Sequence, residues 1–171
     1  MSNLVALANQ KLNLAAQDRI RALPSQIDAV KIEHAAKGLA RSGATLKRVR
    51  RMCVAHLQEH GEAVAVEYKW AVNQALLASQ TWTEELAAAV PAQLQPLMAA
   101  SASHLTELAA FTGHPEIASR LIADLEAELR IVEERTKLAI RAAFAEKSRG
   151  LVRSIPAAIG GVLSKVWRPG P

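Results

Sequence analysis

The chain is poor in cysteine, in aromatic residues and in helix breakers, and each shortage excludes a class of protein. Its single cysteine, Cys53, excludes an intramolecular disulfide framework and a zinc module built from several cysteines. Aromatic residues make up 4% of 171 residues, and β-branched residues do not alternate over strand lengths, which argues against a β-sandwich or barrel. The hydrophobic share of 50% is too high for a disordered chain.

Long apolar runs are also lacking. The longest stretch without a formal charge, Leu86 to Thr106, contains two prolines, two glutamines and a histidine, and much of the rest is alanine. Such a stretch would insert poorly into a bilayer, so we expect soluble helical material there. Lys11 follows the first apolar residues too early for a signal peptide. These features predict a cytoplasmic protein.

The residues that are abundant favour helices. Alanine and leucine dominate, and apolar residues recur at spacings of three and four along most of the chain. The sequence predicts an all-α fold: a helical bundle as a single domain over residues 1–148, followed by a basic amphipathic tail over 149–171. Breakers and capping residues predict helices over 3–22, 25–41, 44–60, 62–79, 81–90, 97–111 and 115–148.

Particular residues set those boundaries. Pro24 is expected to end the first helix, with Ser25 capping the second. Gly61 is expected just past the end of the third helix. Thr81 and Glu84 fit a capping box that opens a short helix ended by Pro91, and another short helix follows Pro96.

The longest helix signal begins at Pro115, after the break Thr112-Gly113-His114. Its apolar stripe consists of Ala118, Ile122, Leu125, Leu129, Val132, Thr136, Ile140 and Ala143. At 1.5 Å per residue, the helix would be about 50 Å long. Short neighbouring helices would not cover such a stripe, which predicts a homo-oligomer.

Charge is unevenly distributed within a net charge of +5. Residues 1–70 have an excess of basic side chains, 71–148 an excess of acidic ones, and 149–171 only basic ones. This pattern is compatible with an anionic partner, and equally with attraction between the regions within one fold or between subunits.

The strongest candidate binding site is a basic cluster, made of Arg41, Lys47, Arg48, Arg50 and Arg51. On a helix the four basic residues between positions 47 and 51 spread over more than half of the circumference and leave Leu46, Val49 and Cys53 to face inward. Guanidinium groups suit phosphates and carboxylates. We therefore expect this basic helix to bind an acidic protein or a nucleic acid.

The same region resembles a helix-turn-helix of the lac-repressor kind over residues 34–52. Small, capping, polar and apolar residues fall where that signature has them, at Ala36, Ser42, Thr45, Leu46, Arg48 and Val49. The resemblance implies that Lys47, Arg48 and Arg51 lie in or beside the major groove of DNA. The turn departs from the signature because Ala40 replaces its usual glycine.

A second resemblance covers His56-Leu57-Gln58-Glu59-His60, which has the H-x-x-E-H pattern of inverted zinc peptidases. It implies that His56 and His60 bind zinc while Glu59 activates water, and Cys53 is a possible third ligand. Because Gly61 is expected to end the helix and no further acidic ligand stands out, we interpret the match as coincidental. We expect no metal, no cofactor and no enzymatic activity.

The tail is predicted to form a short amphipathic helix. One face carries Ile155, Ile159, Val162, Leu163 and Val166, and Trp167 lies beside Arg168 at the end of the helix. Basic amphipathic segments with a terminal tryptophan can lie in a membrane interface. More often, such helices dock on a protein core. We expect docking on this bundle or on another subunit, with a membrane surface as the alternative.

Together these features predict a non-enzymatic helical interaction or adaptor protein that self-associates and binds an acidic protein or nucleic-acid partner. A DNA-binding regulator using residues 34–52 is the first alternative. A peripheral membrane protein anchored by its tail is the second.

Overall fold

A computed structural model describes the backbone of residues 2–166 and the side chains of residues 3–150. It contains four long α-helices: α1 (Ser2–Ala35), α2 (Gly43–Gln74), α3 (Gln80–Phe111) and α4 (Ala118–Val166). A short 3₁₀ turn, Pro115–Ile117, precedes α4. No residue in the described part forms a strand, so the predicted all-α helical bundle is confirmed.

The helices alternate in direction. Contacts between the C-terminal end of α1 and the start of α2 show that these two are antiparallel, as do those of Asn9 with Tyr68. Glu84 of α3 meets Arg141 of α4, while Lys147 of α4 meets the end of α2. Consequently α2 and α4 run parallel and begin at the same end of the bundle.

The packing is that of a flattened bundle. Both α2 and α3 contact every other helix, whereas α1 and α4 do not touch each other within the described residues. Leucine, valine and alanine side chains make up most of the core, which fills the two layers on either side of the α2–α3 pair. Helices of 32 residues in α2 and α3 give the first and last helices a long surface on which to pack.

The predicted breaks at the prolines were wrong. Pro24 lies inside α1, and Pro91 and Pro96 lie inside α3. Pro24 and Pro96 are exposed, on the outer side of the helix, where water can satisfy the carbonyl groups that proline leaves unpaired. The hydroxyl of Ser25 donates to the Ala22 carbonyl within α1 instead of capping a new helix.

Two other boundary predictions were also wrong. Gly61 lies in the middle of α2 and is buried against α4, so it does not end a helix. The residue that caps α3 is Ser79, whose side chain accepts from the Trp82 amide, and Thr81 lies within the helix. By contrast, the break before Pro115 and the long helix that follows it are confirmed.

The apolar stripe of α4 is covered within one chain. Leu125, Leu129, Val132 and Ile140 are all buried against α2 and α3. The predicted oligomer rested on neighbouring helices being short, and those helices proved long. The structure therefore removes the argument from an uncovered stripe, and self-association stays a prediction.

In the described part of the chain, no helix is both long enough and apolar enough to cross a bilayer. The uncharged stretch from Leu86 to Thr106 is part of α3. The predicted docking residues of the tail, Ile155, Ile159, Val162, Leu163, Val166 and Trp167, lie outside the residues whose side chains are described.

Candidate anion-binding surface

The basic cluster lies at the end of the bundle where α2 and α4 begin. Lys47, Arg48 and Arg51 are on the first turns of α2 and point into solvent, while Leu46 and Val49 face the core, as predicted. In the described residues, none of these three basic side chains forms an ion pair within 4 Å. Their charges are therefore available to a partner.

The other two predicted residues are engaged within the fold. Arg50 Nε lies 3.6 Å from Asp124 Oδ2 on α4, and the arginine side chain is only 28% exposed. The guanidinium of Arg41 lies 5.4 Å from the centre of the Phe111 ring, which is a cation–π distance. Arg50 thus connects the start of α2 to α4, and Arg41 connects the segment between α1 and α2 to the end of α3.

An open groove of about 360 Å³ separates the first turns of α2 and α4. Lys47 and Arg50 border it from α2, and Arg120 borders it from α4. Its floor is apolar, formed by Leu46, Ile117 and Leu121. The groove can therefore accept a group that carries negative charge beside an apolar side chain.

The backbone adds to this positive potential. Because α2 and α4 are parallel, the N-termini of both helices lie at this end, each equivalent to about half a positive charge. The neighbouring acid Glu33 forms an ion pair with Lys37: the hydrogen bond from Lys37 lowers the pKa of its carboxyl group, and the charge of Lys37 adds to this effect, so Glu33 stays ionised. Asp124, paired with Arg50, is the carboxylate that lines the groove itself.

The region with the helix-turn-helix resemblance forms an antiparallel helical hairpin. Seven residues, 36–42, connect α1 to α2, and His34 Nδ1 lies 2.8 Å from Thr45 Oγ1 across the two helices. Gly38 adopts a φ of 70° in this connection. In a helix-turn-helix, a turn of three or four residues sets the helices at about 90–120°, so that the second helix can protrude into the major groove.

The H-x-x-E-H residues are held by different neighbours. His56 Nε2 donates to Gln26 Oε1 on α1 at 2.6 Å, whereas His60 Nε2 donates to the Gln93 carbonyl on α3 at 3.2 Å. Glu59 is paired with Arg19. No three His, Cys, Asp or Glu side chains within the described residues are grouped closely enough to hold a metal ion.

Of these two histidines, His60 is buried in the interior of the bundle and His56 is half-buried. Burial lowers the pKa of both His56 and His60. Burial likewise raises the pKa of the Cys53 thiol, so the thiol is not activated as a nucleophile. The buried hydroxyl of Tyr68 donates to Asn9 Oδ1 at 2.8 Å, and burial raises its pKa. We interpret these groups as structural.

Arg120 and the apolar floor of the groove were missed by the sequence analysis. Ile117 and Leu121 follow Pro115 at helical spacing, which could have indicated a face near the helix start. Nothing in their sequence position indicates that they face Lys47, since that depends on the parallel packing of α2 and α4.

No protein-family model matches the chain, and no curated protein and no solved structure is significantly similar to it.

Proposed function

We propose that this protein is a non-enzymatic helical interaction protein that binds an acidic protein partner at the groove between the starts of α2 and α4. The observation that carries the proposal is the convergence of Lys47, Arg50 and Arg120 around an apolar floor. A peptide segment with carboxylates beside leucine-like side chains matches that combination. The proposal places the protein in the cytoplasm, where the single thiol of Cys53 stays reduced.

The surroundings of the groove favour a protein partner over nucleic acid. Nucleic-acid backbones are recognised by a continuous row of basic side chains along the phosphates. Here Asp124 lines the groove and Glu33 lies close enough to Arg48 for the two charges to interact, so carboxylates interrupt such a row. In the hairpin, α2 also has α1 and α4 beside it, which restricts its entry into a DNA groove.

The test is fluorescence anisotropy with a labelled peptide of alternating glutamate and leucine at physiological salt, with a random-sequence DNA duplex as the second probe. We expect saturable peptide binding. The double variant Lys47→Glu, Arg120→Glu should weaken it by about tenfold or more, because two attractive charges become repulsive. Arg50 is left unchanged because its pairing with Asp124 also supports the fold.

The matched control is Lys69→Glu with Arg130→Glu, which makes the same charge change on exposed side chains of α2 and α4 away from the groove. If both double variants lost peptide affinity equally, net charge alone would explain the effect, and the proposal would be refuted. Tight, sequence-selective DNA binding without peptide binding would also refute it and would establish the regulator instead.

A further inference from the structure

The opposite end of the bundle carries two adjacent leucines that contact almost nothing. Leu76 is 93% exposed and Leu77 is 82% exposed, more than any other large apolar side chain in the described part. They lie in the connection between α2, which ends at Gln74, and α3. Transferring such side chains out of water is favourable, so their exposure indicates a surface that is covered in use.

This leucine tip lies beside the point where α4 continues into the tail. Lys147 Nζ donates to the carbonyls of Val72 at 2.6 Å and Asn73 at 2.9 Å, and to that of Ala75. Ala75 directly precedes Leu76. The lysine therefore fixes α4 against the leucine tip immediately before the tail sequence begins.

The chemistry of the tail specifies the occupant. Residues 149–171 contain four basic and no acidic side chains, and their apolar residues include Trp167. Basic segments with apolar and tryptophan side chains bind anionic lipid surfaces, through attraction to the headgroups and insertion of the apolar groups. Exposed leucines such as Leu76 and Leu77 insert into the same layer of a bilayer.

We propose that the leucine tip and residues 149–171 together bind an anionic lipid surface. A second copy of this chain fits less well, because a symmetric contact through this end would bring two uniformly basic segments together. An anionic membrane attracts the same charges. The proposal does not depend on the groove at the other end, whose partner would remain accessible above the membrane.

The experiment is co-sedimentation of the full chain with vesicles of phosphatidylserine and phosphatidylcholine, compared with vesicles of phosphatidylcholine alone. We expect sedimentation with the anionic vesicles, which falls as salt is raised. The variant Leu76→Asp, Leu77→Asp should reduce binding by about tenfold or more for each leucine that inserts. Since both leucines are exposed, circular dichroism and the melting temperature should be unchanged.

The matched control is Leu14→Asp with Leu138→Asp, two leucines that are 55% and 61% exposed on the outer faces of α1 and α4. This variant should bind vesicles like the wild type. The proposal is overturned if the wild type ignores anionic vesicles, or if the two double variants lose binding equally. It is also overturned if Leu76→Asp, Leu77→Asp converts a dimer to a monomer, by light scattering, while vesicle binding is absent.

Discussion

Gly61 and Val132 bring α2 and α4 into direct contact at the middle of the bundle. A Cβ atom at position 61 would lie 2.2 Å from Val132 Cγ1 and 3.3 Å from Thr136 Oγ1. The Thr136 hydroxyl donates to the Gly61 carbonyl at 3.2 Å, which joins the two helices at the same level. The glycine is therefore present for close packing, although it costs helix propensity.

Gly61→Ala should lower the free energy of unfolding by about 1–3 kcal/mol, because the new methyl group overlaps the Val132 side chain. In a Val132→Ala background, the same substitution should be neutral or should stabilise by up to about 1 kcal/mol, the helix-propensity difference. Urea denaturation of the four proteins in this cycle measures the coupling.

Gly43→Ala is the control, because position 43 is in the first turn of α2 and has open space around it. It should not destabilise the protein. If Gly61→Ala lowered the free energy of unfolding equally in the wild-type and Val132→Ala backgrounds, the close approach of α2 and α4 would not be what requires a glycine at position 61.

Lys147 stabilises the end of α2 by donating to the carbonyls that the helix leaves unpaired. Lys147→Met keeps the aliphatic stem and removes these charge-assisted bonds, so we expect a loss of about 1–3 kcal/mol. Lys37→Met, which breaks an exposed pair with Glu33, should leave stability nearly unchanged. Similar effects of the two substitutions in thermal unfolding would contradict the role of Lys147.

The fold class could be predicted from local pattern, but the positions of Pro24, Pro91, Pro96 and Gly61 inside helices could not. The turn before α4 was found because Gly113, with a φ of 84°, and Pro115 act locally. Pro24 and Gly61 also favour a helix end locally, yet both helices continue through them because long helices pack beside them. Gly61 needs a neighbour on α4, and a single sequence does not indicate which residue that is.

The candidate site likewise contains residues that the sequence predicted and residues that it did not. The exposure of Lys47, Arg48 and Arg51 followed from helical periodicity, since their apolar neighbours mark the buried face. Arg120 and the apolar floor of the groove became visible only in three dimensions. The acidic region of the sequence was a possible intramolecular partner for the cluster, and among the cluster residues only Arg50 pairs with it in the described part.

Protein purified without chelator should contain no stoichiometric zinc. His56 and His60 are directed to α1 and α3 respectively, so their imidazoles would have to abandon both hydrogen bonds to share a metal. Elemental analysis by mass spectrometry measures the content. One equivalent of zinc in the wild type, lost in His56→Ala with His60→Ala, would refute the structural interpretation of the motif.

Stability should fall as the solution is acidified from neutral pH, in part because of His60. Its Nε2 donates to the Gln93 carbonyl, so Nδ1 carries no proton, and this atom is buried without a hydrogen-bond partner. Protonation would place an unsatisfied charge in the core, and burial accordingly lowers the pKa of the folded histidine. The unfolded state, with a histidine pKa of about 6.5, therefore takes up protons first as the pH falls. The stability linked to His60 is fully present above about pH 6.5 and is lost as the pH falls toward the lower pKa of the folded state.

The measurement is urea denaturation of the wild type and of His60→Gln between about pH 5 and pH 8, the range in which histidine titrates. Gln keeps a side-chain donor and removes the titration, so the variant should lose less stability on acidification than the wild type. The difference in slope should not exceed about 1.4 kcal/mol per pH unit. Val64→Ala, a buried non-titrating substitution one turn further along α2, is the control and should shift the curve by the same amount at every pH. Parallel curves for the wild type and His60→Gln would show that the buried imidazole does not contribute to the acid sensitivity of the fold.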